Sequence, residues 1–236
     1  ALMLENRPEF FVQWLALNPP GISVIPINHE MPDAEIPYYL EQGEATAVLT
    51  LGAHRTRLMN VIASLTKSIP VITQDEVSTL KLADVPAITE TTTDSNSECA
   101  LLYTSGSTGK PKGCLLNNDY FLQQGVWYQN LGGHIDLREG RERLLTPLPL
   151  SHMNAMSVST MAMFMTGGCL IQLDRFHPGT WWQSLRDSKA TAIHYLGVLP
   201  AILLALPEDS QDDFSTQIRF GFGAGVNPAH HERFEK

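Results

Sequence analysis

Short apolar runs of strand length alternate with amphipathic stretches of helix length through almost the whole of this chain, and that alternation constrains its fold more than any other feature. The runs ALML, SVIPIN, TAVLT, IPVIT, CALLYT, RLLTPL, GCLIQL, TAIHYL and IRFGFG read as strands. Between them, 8–17, 56–66, 119–129, 180–188 and 198–206 read as helices, and in the first of these Phe10, Phe11, Trp14 and Leu15 share one face. Strands that alternate with helices predict an α/β protein with largely parallel sheets flanked by helices. No internal repeat at solenoid spacing competes with that reading.

Composition enters where it excludes function. A chain of 236 residues with 43% hydrophobic and 17% charged residues has the apolar mass for a sizeable core. A net charge of -9, with 16 scattered Lys and Arg residues, argues against a nucleic-acid surface and leaves a small molecule as the expected partner. Cys99, Cys114 and Cys169 form no CxxC pair, so neither a disulfide framework nor a zinc site is suggested and a reducing, cytoplasmic setting is expected. ALMLENRPEF lacks the basic leader of a secretory signal.

The stretch 144–173 holds no Asp, Glu, Lys or Arg and is long enough to cross a bilayer. Pro147, Pro149, His152, Asn154 and the Gly167–Gly168 pair divide it, so the expectation is a strand, helix, strand passage through a core and no membrane span. The polar segment 89–98, TETTTDSNSE, reads as a solvated loop and a possible subdomain boundary. The first residues sit inside an apolar run and the last, HHERFEK, fall partway along a helix begun by Pro228; both ends read as cut from a longer enzyme.

After the strand 99–103 come Thr104, Ser105, Gly106, Ser107, Thr108 and Gly109, then Lys110, Pro111, Lys112 and Gly113. Glycines let backbone amides approach an anion and adopt positive φ, hydroxyls donate to phosphate oxygens, and lysines add charge. The pattern is a phosphate cradle of an uncommon kind. A Walker loop needs four residues between its first Gly and the Gly-Lys pair and a Ser or Thr after the Lys, whereas Gly106 and Gly109 are separated by two and Pro111 follows Lys110. On composition alone a plain surface turn is the alternative.

In full order, YTSGSTGKPKG resembles the signature of the adenylate-forming, AMP-binding superfamily of acyl-CoA ligases, luciferases and peptide-synthetase adenylation domains. ENRPEFFVQWLAL and GISVIPIN resemble the family's first βα unit and following strand, LTPLPLSHMNAM its acyl-CoA ligase segment ending in a histidine, and RFGFGAGVNPAHHERF its strand near adenine. The resemblance covers nearly the whole chain and implies part of the large N-terminal AMP-binding domain, 1–236, without the C-terminal domain. PLSHM favours the acyl-CoA ligase branch, and HPGTWWQSLRDSKATAIHYLGVLPAILLAL is similar to crotonobetaine/carnitine-CoA ligases.

That resemblance implies a carboxylic acid substrate, ATP with Mg2+, and coenzyme A as co-substrate. Acyl-adenylate would form first and the thioester second. It implies that Thr104, Ser105, Gly106, Ser107, Thr108 and Gly109 clamp phosphate, that Lys112 adds charge in the catalytic set, and that Thr104 contributes to the magnesium site with a Glu this sequence does not contain. Lys110 is expected to face solvent. His152 would stand at the mouth of the acyl pocket, its alternative being a core histidine. Gly223, Ala224 and Gly225 would let adenine lie against backbone, their alternative being a tight turn that needs small residues. The methionines at 153, 156, 161, 163 and 165 read as core or as an acyl-pocket wall. The ribose Asp and catalytic Lys of the family fall outside the sequence, so residues 1–236 alone are expected to be inactive. A non-catalytic nucleotide-binding module is the alternative reading.

Overall fold

In the computed structural model, which describes residues 1–80, 93–104, 109–207 and 213–234, the alternation of apolar runs and amphipathic stretches becomes two α/β units, Ala1–Tyr120 with Leu150–His152, and Phe121–Pro149 with Met153–Lys236. Both carry parallel sheets flanked by helices, as the sequence predicts.

In the first unit β1 (Leu2–Met3), β2 (Val48–Thr50) and β3 (Val71–Thr73) form a parallel sheet in that order. The helix α1 (Pro8–Leu17) starts on Pro8, whose missing N–H is no loss in a first turn, and buries Phe10 and Trp14 at i, i+4 spacing. Trp14 donates its indole N–H to Cys99 Sγ at 3.2 Å, which accounts for that buried thiol without any reactivity. The helices α2 (Ile36–Gln42), α3 (Gly52–Ile62) and α4 (Gln74–Val77) complete the layer, the last held by a capping box in which Glu76 reaches back to the Thr73 N–H at 2.9 Å. Ile36, Leu40, Val48 and Leu58 close the core with Met3, Ile25 and Leu101. Each such side chain contributes about 1.5–3 kcal/mol on burial.

Two sequence expectations need correction here. SVIPIN forms no strand of its own: Pro26 has no N–H to donate, and the segment joins its neighbours only through isolated bridges, Leu2 to Pro26 and Val24 to Ala100. The helix expected over 56–66 runs instead over Gly52–Ile62. Of the segment 89–98, residues 93–98 belong to the first unit, and 89–92 lie outside the described residues.

Strands β4 (Glu98–Thr104) and β5 (Lys112–Asn117) pair antiparallel. The chain then enters α5 (Asn118–Gln129) and reaches the second unit, where β6 (Arg143–Thr146), β7 (Cys169–Gln172), β8 (Ala192–Leu196) and β9 (Phe220–Ala224) form a parallel sheet in the order β7-β6-β8-β9. Neighbouring residues point to opposite faces: Leu144 and Ala192 pack with Tyr128, Val158, Ala162 and Phe220, while Leu145 and Ile193 pack with Trp181, Leu185, Leu199 and Leu203. A parallel sheet covered on both faces is what the near-continuous apolar runs require. The charge-free stretch 144–173 is indeed strand, helix, strand: β6, a π-helical turn at Asn154–Ser159 running into α6 (Thr160–Thr166), and β7. Among the described residues no helix is long and apolar enough to cross a membrane. The helices α7 (Trp181–Ser188), α8 (Val198–Leu203) and α9 (Pro228–Phe234) complete this unit.

At the amino end of that sheet Glu142 is 1% exposed. Arg138 Nε donates to it at 2.7 Å, Arg219 at 2.5 Å and the Thr191 hydroxyl at 2.5 Å. Burial alone would raise its pKa, but these donors outweigh that and hold it below the usual carboxylate range. The acid therefore ties the starts of β6, β8 and β9 together as structure.

Candidate functional site

Strands β4 and β5 bracket the glycine-rich segment in the sequence, with Thr104 paired directly to Lys112 and Tyr103 to Gly113. Both Thr104 and Lys112 are exposed. Neither pairs with a carboxylate among the described residues, so a hydroxyl and an ammonium stand side by side and available to an anion. Gly109 has φ +96°, a conformation that an L side chain rarely adopts, although a Cβ there would meet nothing within 4 Å. Its glycine is thus a backbone requirement. Ser105, Gly106, Ser107 and Thr108 lie outside the described residues.

Both stems of the hairpin rest on α2. The Tyr103 ring lies 4.1 Å from that of Tyr39, and its hydroxyl donates to the Tyr39 carbonyl at 3.3 Å and to the Gln42 side chain. Burial, with a smaller effect of the neighbouring Tyr38 and Tyr39, pushes the Tyr103 phenol up to about 12, so it remains a donor. On the other stem Tyr38 donates its hydroxyl to the Pro111 carbonyl at 2.9 Å, and the Lys110 ammonium lies over the Tyr38 ring at 5.6 Å from its centroid. Lys110 is exposed, as expected, but it is not merely solvated. The tyrosines of IPYYLEQ went unremarked in the sequence because a helix of 7 residues leaves too short a periodic pattern to read.

His152 borders a cavity of about 370 Å³ within the same unit, alongside Ser151, Tyr103, Tyr39, Asn28 and the carboxylates Glu30 and Glu35. The chain reaches it by a fixed route, since the Leu150 N–H donates to Asn6 Oδ1 at 2.9 Å. Although His152 keeps an exposed edge, desolvation by the surrounding protein lowers its pKa below the ordinary histidine value. A neutral imidazole at pH 7 follows. Ser151 Oγ is buried without a hydrogen-bond partner among the described residues. The structure thus brings His152 and the upstream hairpin stem to one cavity, and His152 is not a core residue.

In the second unit Gly223 and Ala224 end β9, paired with Tyr195 and Leu196 of β8, and Gly225 follows at φ +68°. A Cβ on Gly223 would fall 2.3 Å from Cε2 of the Tyr195 ring. The small residue is therefore required by packing on that side. Gly225 needs its positive φ for the turn into α9, and its carbonyl stands 1.8 Å from where a Cβ on Gly197 would be. The three lie at the carboxyl end of a parallel sheet, the end at which open α/β sheets take ligands.

A buried chain of polar groups in the same unit was not legible in the sequence. His194 is 0% exposed, with Nε2 2.7 Å from the Tyr128 hydroxyl and Nδ1 2.7 Å from Ser159 Oγ. Burial pushes its pKa down to about 3. Ser159 closes the π-helical turn, and Thr160 Oγ1 donates to the Ala155 carbonyl at 2.7 Å. Of the methionines, Met156, Met161 and Met163 are buried, whereas Met153 and Met165 are exposed. Met163 packs in the core against Leu144 and Ala162. No group of three or more His, Cys, Asp or Glu side chains suited to a metal ion occurs among the described residues.

Comparison with known proteins gives a consistent result. Sulfoacetate–CoA ligase of Cupriavidus necator is 28% identical over 225 residues, covering 91% of this chain and 42% of that protein. Crotonobetaine/carnitine–CoA ligase of Citrobacter koseri is 26% identical over 228 residues, covering 90% and 43%. The chain therefore spans less than half the length of these curated relatives. The N-terminal domain of FACL13 from Mycobacterium tuberculosis shares the fold, with a TM-score of 0.83 at 20% identity over 99% of this chain and 58% of that one. The sequence pattern of AMP-binding enzymes matches residues 1–236. The chain belongs to the AMP-binding enzyme family.

Proposed function

We propose that the protein takes part in ATP-dependent ligation of a carboxylic acid to coenzyme A through an acyl-adenylate, and that residues 1–236 supply its phosphate-directed hairpin, its carboxylate-orienting histidine and its adenine-facing strand end. The observation that carries this reading is the pairing of Thr104 with Lys112 at the mouth of a glycine-rich loop.

A carboxylic acid with a pKa of about 4 is already ionised at neutral pH, so the nucleophile needs no base. What the protein must provide is alignment and charge. Lys112 offers an uncompensated ammonium, and the Thr104 hydroxyl beside it fits either a phosphate oxygen or the Mg2+ that accompanies one. The amides and hydroxyls of 105–109 would add donors. Mg2+ supplies neutralisation of phosphate charge when bound, and Thr104 is the ligand assigned here. His152, neutral at pH 7, orients a carboxylate by hydrogen bonding without trapping it in an ion pair. The adenine contact is assigned to the free side of Ala224–Gly225, because Tyr195 fills the space over Gly223. Residues 1–236 by themselves are proposed not to suffice for adenylation. The acid belongs, on this reading, to a range that includes carnitine-type compounds, and the setting is cytoplasmic.

The test is carboxylate-dependent exchange of labelled pyrophosphate into ATP by the full-length protein, over a panel of acids that includes carnitine and crotonobetaine. Exchange with at least one acid is expected, weakened in Lys112→Ala through a higher KM for ATP. ATP binding without exchange for any acid would instead indicate a nucleotide-binding module.

A further inference from the structure

Lys110 and Lys112 flank Pro111 on the downstream arm of the loop, and the protein treats them differently. Lys112 sits in the ladder opposite Thr104. Lys110 has its ammonium 5.6 Å from the centroid of the Tyr38 ring, and Tyr38 anchors the next residue by donating to the Pro111 carbonyl at 2.9 Å. One side chain on α2 thus holds two successive residues of the arm. Its neighbour Tyr39 packs on the upstream stem through Tyr103, 4.1 Å away between ring centroids.

The means of holding Lys110 matters. A carboxylate would fix an ammonium and cancel its charge, whereas the face of a phenol ring attracts it through a quadrupole and leaves the full unit of charge in place. Lys110 makes no ion pair among the described residues, although the chain carries 25 Asp and Glu residues against 16 Lys and Arg. A lysine restrained over a ring and left un-neutralised, beside a loop to which the proposed function assigns an anion, has reduced conformational freedom to lose when the anion arrives.

We infer that Tyr38 is a positioning residue of this site, holding Lys110 as an un-neutralised cation directed to the phosphate chain of the nucleotide. The positioning half stands on geometry alone; the nucleotide half rests on the function proposed above.

The test uses the full-length protein with Tyr38→Leu, Tyr38→Phe and Lys110→Met. For the positioning half, the rate at which an amine-reactive reagent labels Lys110 is read by mass spectrometry. Tyr38→Leu should raise it by about two- to fivefold, the worth of an exposed cation–π contact. Tyr38→Phe, which keeps the ring, should label near the wild-type rate. Should Tyr38→Leu fail to fold, fluorinated phenylalanines at position 38 drain the ring face while keeping its shape, and labelling should rise with fluorine number. A rate indifferent to the ring overturns the inference whether or not the protein is a ligase. For the nucleotide half, Lys110→Met and Tyr38→Leu should each raise the KM for ATP in the exchange assay with kcat little changed, and the double variant should match Lys110→Met alone. Additive effects would mean that Tyr38 does not act through Lys110 and would overturn it. Without exchange in the wild type, the same comparison is made on the Kd for ATP, with the same two outcomes.

Discussion

Thr104 and Lys112 face each other across the last rung of an antiparallel hairpin, so a hydroxyl and an ammonium reach the loop mouth from opposite strands. Because both are exposed, replacing either should leave the fold alone and act on the nucleotide. Lys112→Ala is expected to raise the KM for ATP by about tenfold or more, the scale of a lost charge-assisted hydrogen bond. Thr104→Ala should cost less, and raising the Mg2+ concentration should offset part of its loss but not that of Lys112→Ala. Melting temperatures of both variants within about one degree of wild type provide the control.

His152 has its pKa lowered by desolvation, which places its protonation below the usual histidine range of about 6.5. The neutral form is the one assigned to carboxylate orientation. On acidification the imidazolium should trap the acid as an ion pair, so kcat should fall only below that range, with the KM for ATP unaffected. In His152→Ala the acid-side limb should vanish and the KM for the acid should be high at every pH. A limb that survives the substitution assigns it to another group.

Gly223→Ala places a methyl 2.3 Å from Cε2 of Tyr195, an overlap that requires the ring to move. A cost of about 1–3 kcal/mol in stability is expected from such overpacking. In a Tyr195→Ala background the same substitution should cost far less, because nothing then occupies the space. Equal costs in the two backgrounds, measured by urea unfolding, would refute the packing account.

The parts of this structure that were legible in the sequence are those in which burial and local pattern agree. The runs IPVIT, CALLYT, RLLTPL and GCLIQL are strands buried wholly or in part, and Pro8 marks the start of α1 as its missing N–H allows. Strand β5 escaped because KGCLLN mixes Lys, Gly and Asn with its apolar residues and leaves Leu115 68% exposed, so no apolar alternation announces it. With it went the hairpin, and hence the pairing of Thr104 with Lys112. Gly223 offered two readings, a ligand platform and a turn that needs small residues, and the sequence could not show the Tyr195 ring that fills the place of its side chain. His194, inside the strand-like run TAIHYL, gave no sign of its two hydroxyl partners, which come from residues 66 and 35 positions away.

That histidine makes the last prediction. With its pKa pushed down to about 3 by burial, His194 is neutral in the folded protein over the whole interval from there up to the unfolded value of about 6.5. In that interval the unfolded chain takes up a proton at this position and the folded chain does not, so unfolding is favoured as pH falls. Its contribution is complete above about 6.5 and declines below it by about 1.4 kcal/mol per pH unit. Glutamine offers a donor and an acceptor to Tyr128 and Ser159 but has nothing to titrate. His194→Gln should therefore lower stability at pH 7.5, where the imidazole is the better fit, yet show a shallower loss between pH 6.5 and 4.5. The comparison is of slopes, which cancels the carboxylates that titrate in both proteins. Parallel slopes in urea unfolding would show that the imidazole is protonated within the fold, and that the Tyr128–His194–Ser159 chain does not hold it neutral.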